Sequence, residues 1–193
     1  MAILPSSVRR FYQLTLGLVL VGLLVGWAGV PIAHAGLTDD HYDGNMFALY
    51  AGNGSIVPPR ITLAQALARP NPTMLFFYVD DSQDCKQYST VMSRVDAFYG
   101  RAIDIIALNV DTIPVKASYE PTEAGYYLSG YVPQVVLFDQ SSNVVLNERG
   151  AVPYEKMDDI LRELFDLLPR SQSEELKRRP INEINTELVP QTK

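Results

Sequence analysis

An unbroken apolar run, Met74-Leu-Phe-Phe-Tyr-Val79, followed at once by the polar turn Asp80-Asp-Ser-Gln-Asp84, constrains the fold of this 193-residue chain more than any other feature. A short run without polar alternation suits a strand buried on both faces. Cys85, Tyr88, Val91, Met92, Val95 and Tyr99 then recur at spacings of three and four, which places them on one face of a helix ending near Gly100. A strand covered on both sides and followed directly by an amphipathic helix predicts an α/β domain.

Further elements follow in an order that supports this. Ile103–Val110 reads as a second buried strand. Gln134–Phe138 reads as a third, and Asn143–Glu148 can pair antiparallel with it through the Asp139–Ser142 turn. Met157, Ile160, Leu161, Leu164, Phe165 and Leu168 form the apolar stripe of a last helix, with Pro153 in its first turn and Pro169 as its stop. Upstream, Met46–Tyr50 is read as a possible first strand, and Thr62 as the cap of a short helix through Ala68. The chain therefore divides into an N-terminal segment (1–35), a linker with a possible strand (36–59), an α/β domain (60–169) and a polar tail (170–193).

Ser82-Gln-Asp-Cys85-Lys86 at the head of the helix, Asn109-Val-Asp111 at the end of the second strand, and Gly130-Tyr-Val-Pro133-Gln134 before the third resemble the thioredoxin-like superfamily. The resemblance implies a central mixed sheet flanked by helices and a cis-proline at Pro133. It also implies that Val132 offers its backbone to an extended client segment, as in strand addition. The departures bear on chemistry. Ser82 stands where the family's attacking cysteine would be, Phe76 where its buried carboxylate would be, and Asp81 where its tryptophan would be. A serine hydroxyl cannot form the intermediate disulfide of dithiol exchange.

Cys85 is the single cysteine. It is read either as a small buried apolar group or as a slow, regulatory thiol; a register that makes it the attacking residue of a monothiol site is disfavoured by Lys86. Asp80, Asp81 and Asp84 should raise its pKa, and a helix N-terminus should lower it. Ser82 can cap the helix through the Cys85 N–H, worth about 1 kcal/mol against alanine. Candidate client-binding residues are Ser82, Gln83, Asp84, Val132, Pro133 and Tyr119, with Cys85 catalytic only if redox active. Tyr119 belongs to an insertion spanning 112–121 that adds aromatic surface; Tyr127 and Tyr131 are read as helix or core residues. No cofactor or metal is expected. Asp39-Asp-His-Tyr-Asp43 carries ligand-type side chains, but with no second ligand cluster it is read as a solvated linker.

Arg9-Arg10 precede an apolar stretch from Leu14 to Ile32 and an Ala33-His-Ala35 motif, which together read as an export segment. Its length favours retention as a membrane anchor, and the motif favours cleavage after Ala35; retention is the preferred reading. Positive charge ahead of the segment places the following domain on the trans side. The formal charge is −6, with no acidic residue among the first 35, so the exported part is more acidic still and nucleic acid is an unsuitable partner.

Together with Tyr50-Ala-Gly-Asn-Gly-Ser-Ile-Val-Pro-Pro59, these features resemble the cyanobacterial family of thylakoid membrane photosystem I accumulation factors. The resemblance implies a lumen-facing thylakoid protein whose partners are photosystem I subunits or their assembly proteins. The rival expectation is a single-thiol oxidoreductase acting through Cys85.

Overall fold

In the computed structural model the apolar run becomes β1 (Thr73–Tyr78), with every residue buried. β2 (Asp104–Asn109) pairs parallel to β1, β3 (Gln134–Phe138) antiparallel to β1, and β4 (Val144–Arg149) antiparallel to β3, giving the order β2-β1-β3-β4. Around the sheet the chain forms α1 (Met46–Tyr50), α2 (Leu63–Leu67), α3 (Gln83–Tyr99) and α4 (Tyr154–Leu164). The structure describes residues 15–22 and 36–173. This is the mixed α/β architecture the thioredoxin resemblance implies, and the Val132–Pro133 peptide bond is cis.

Side-chain alternation along β1 builds two core layers. Met74, Phe76 and Tyr78 face Cys85, Tyr88, Met92 and Val95 of α3, with Met157 and Leu161 of α4 in the same layer. Leu75 and Phe77 face the other way, and with Ile106, Val136 and Phe138 they meet Leu63 and Ala66 of α2. α2 starts as expected at Thr62, in a capping box with Gln65.

Two expectations are corrected. Met46–Tyr50 is a helical turn, because the Asn45 side chain caps it by accepting from the N–H groups of Phe47 and Ala48. Phe47 thereby enters the core edge-on to Phe76 and Tyr78, with ring centroids 6.0 and 5.3 Å away. The last helix ends sooner than its stripe suggests: α4 stops at Leu164, Asp166 turns to φ 52°, and Leu168 is exposed. No strand among the described residues pairs with the outer side of β2.

Contacts divide the chain between Ala35 and Gly36 into two units. In the first, residues 15–22 are helical and exposed; the rest of the Leu14–Ile32 stretch and the Ala33-His-Ala35 motif lie outside the described residues, as does the tail from 174. Among the described residues no helix is long and apolar enough to cross a membrane.

Phe76 is fully buried between Phe47, Tyr78 and Tyr88. Truncation to alanine should cost about 3–5 kcal/mol, measured as a lower urea midpoint at unchanged slope.

Candidate functional site

The thioredoxin-like turn sits at the C-terminal end of β1. Ser82 caps α3, its Oγ accepting from the Cys85 N–H at 3.3 Å, while its carbonyl accepts from the Lys86 N–H at 2.9 Å. The Gln83 N–H donates at 2.9 Å to Oδ1 of Asp40, a residue 43 positions upstream. A helix N-terminus favours an anion, and here a carboxylate of the same chain takes that place. Cys85 has no exposed surface. Burial is the main cause pushing its thiol pKa up, with Asp84 and Asp80 adding smaller contributions in the same direction, so the expected rise occurs chiefly for a different reason.

Lys86, the next residue, is also completely buried. Its Nζ donates to the Asp43 carboxylate at 2.9 Å, the Asp39 carboxylate at 3.1 Å, and the carbonyls of His41, Gly36 and Asp39 at 2.5, 3.2 and 3.3 Å. The Tyr50 ring lies beside it at 5.5 Å, and Tyr50 Oη donates to Asp43 at 2.6 Å. The residues read as a solvated linker are therefore folded around a buried ammonium, which pairs with the carboxylates of both Asp39 and Asp43. Burial opposes the charge on Lys86, but its bonds to Asp43 and Asp39 outweigh it and raise the pKa. Tyr50 and Lys86 hold the Asp43 carboxyl down at about 2. Downstream, Asp80 accepts from the Met46 N–H and from Asn109 Nδ2, each at 2.9 Å, fixing α1 to the end of β2.

Pro133 lies one residue beyond the Gln134↔Phe77 pair, at the same end of the sheet as the turn. Its carbonyl accepts from the Gly150 N–H at 2.7 Å. Neither the N–H nor the carbonyl of Val132 has a partner among the described residues. Tyr131, expected in the core, is 62% exposed and lies 5.2 Å from the Arg149 guanidinium. Tyr127 does pack inward, edge-on to Phe138. Tyr119 stands apart from the cysteine turn: it lies over Gly125 and lines a cavity with Ile106 and Leu108, residues of the opposite sheet face. Ser82, Gln83, Asp84, Cys85, Val132 and Pro133 thus share one end of the sheet, and Tyr119 belongs to a second site. Sequence reasoning missed the lysine cage; its signal was a lysine beside the core-facing Cys85 together with acids at 39 and 43.

No family model matches the chain. It is 49% identical over 189 residues to the thylakoid membrane protein slr1796 of Synechocystis sp. (strain ATCC 27184 / PCC 6803 / Kazusa), covering 94% of this chain and 93% of that protein. The chain belongs to that protein's family. Among solved structures it is similar to thioredoxin-2 of the malaria parasite, with 16% identity and a TM-score of 0.40 over 48% of this chain and 82% of that one. A second malarial protein has 16% identity and a TM-score of 0.39, over 48% of this chain and 96% of that one.

Lys86→Met should free the segment 36–45: limited proteolysis should cut there faster than in wild type, while amide exchange in β1 and β3 stays protected. Asp43 titrates below its ordinary value of 3.8, so its contribution to stability is complete above that pH and lost as pH falls toward about 2. Thermal unfolding followed by circular dichroism should show wild type losing stability across this window more steeply than Asp43→Asn.

Proposed function

We propose that this chain is a thylakoid membrane-associated, thioredoxin-like factor that supports photosystem I accumulation by binding client proteins without dithiol exchange. The observation that carries this reading is the complete burial of Cys85, beneath a helix N-terminus already supplied with a carboxylate by Asp40. A sulfur so placed has no access to a client disulfide, and burial outweighs the hydrogen bonds that would favour its thiolate. The relative named as a thylakoid membrane protein supports the location, and the N-terminal apolar segment supports attachment with the domain on the lumenal side. The photosystem role rests on the resemblance of the sequence motifs.

Clients, taken to be photosystem I subunits or their assembly proteins, would add as an extended segment beside Val132-Pro133. The backbone groups of Val132, which have no partner among the described residues, supply one donor and one acceptor there, and exposed Tyr131 supplies an aromatic surface. Ser82, Gln83 and Asp84 flank the same end.

Cys85→Ala should leave photosystem I levels at those of wild type in a strain complemented with the variant. Affinity purification without reductant from gently solubilised membranes should recover the same partners with both forms. Partners captured by wild type alone and released by reductant would instead establish a single-thiol oxidoreductase.

A further inference from the structure

A cavity of about 480 Å³ lies between α2, the α2-facing side of β2 and the segment 112–125, which includes the 112–121 insertion, within the range of small-molecule sites. Ile61, Ile106, Leu108, Ile113 and Pro114 make it apolar. Its outer wall is braced from within. Tyr119 lies flat over Gly125, where any Cβ would collide with the ring, and its hydroxyl donates to the Pro114 carbonyl at 2.8 Å. Lys116 pairs with one oxygen of Glu123, and the other accepts from the Glu120 N–H at 3.0 Å. The insertion is thus held open over the sheet by its own bonds.

Those same bonds define what fits. Thr62 and Gln65 are joined in their capping box, Thr112 donates to the Asn109 carbonyl, and Tyr119, Lys116 and Glu123 are engaged as described. Of the polar side chains on the wall, Arg60 and Thr122 alone have no partner among the described residues. A peptide entering this cavity would find the wall side chains already bonded to one another, and could satisfy its backbone amides only by pairing along the edge of β2. A hydrocarbon chain needs no such partners, and an anionic head suits a guanidinium that makes no ion pair among the described residues. We infer that the cavity binds a single-chain amphiphile, an aliphatic tail over Ile106 and Leu108 with a carboxylate head at Arg60. This site is separate from the Val132-Pro133 end and stands or falls independently of client binding.

The test uses the full chain in phosphatidylcholine nanodiscs with a diazirine analogue of palmitic acid. Photolabelling should fall on peptides covering 59–65, 106–114 and 119–125. Ala64→Trp, which changes an exposed position on the cavity wall, should abolish it. Arg60→Gln should weaken it about two- to fivefold, and the matching fatty alcohol should label wild type less than the acid by a similar factor. Labelling confined to residues 14–32, or unchanged by Ala64→Trp, would overturn the site. Equal labelling by acid and alcohol, with Arg60→Gln like wild type, would overturn the anionic head. Labelling by a diazirine phosphatidylglycerol but not by the free acid would overturn the single-chain assignment. An unlabelled cavity whose residues instead cross-link to a second copy or another protein would give the site to a protein partner.

Discussion

The buried ammonium of Lys86 is the interaction on which the arrangement of this domain depends. A lysine with no exposed surface persists only if its charge is matched and its donors are used, and the chain meets both needs with one upstream segment. Folding Gly36–Asp43 around Nζ brings Asp40 onto the N-terminus of α3 and leads α1 across the end of the sheet, where Phe47 enters the aromatic core. The closed state of Cys85 and the filling of the helix end follow from that docking, while the Asn45 cap sets the helical form of Met46–Tyr50.

The two sheet faces have consequently diverged. On the α3 face, aromatic rings run from Phe47 through Phe76 to Tyr78 and Tyr88. Phe76 occupies the position at which the resemblance places a proton-transferring carboxylate, so the layer is apolar as well as closed. On the α2 face, the lengthened link between β2 and β3 is tied to itself rather than collapsed onto the strands, and space remains beneath it. Polar groups that neutralise one another within a loop keep it rigid while leaving its inner wall greasy.

The sheet was legible in the sequence because its signals are local. Uninterrupted apolar strands, the Ser82 cap, the Asp139–Ser142 turn and the Thr62 cap each declare themselves within a few residues. The cage was not, because it joins residues up to 50 positions apart, and an acidic run looks solvated until its cation is found. Tyr131 and Leu168 were misplaced for the opposite reason: each continues an apolar pattern, yet the backbone turns away before the side chain can pack. Tyr119 belongs to an insertion that covers the face opposite the cysteine turn, and periodicity gives no means of saying which sheet face an insertion will cover.

The solitary, enclosed sulfur also bears on how the domain comes to be folded. With one cysteine in the chain there is no internal bridge to form, so the native state does not wait for an oxidant or for a disulfide catalyst to correct pairings. Nor does its stability follow the redox poise of its surroundings, since no bond within it is exchanged when that poise moves. Swings between reducing and oxidising conditions that would remodel a dithiol relative pass this fold by, leaving its surface the same under both.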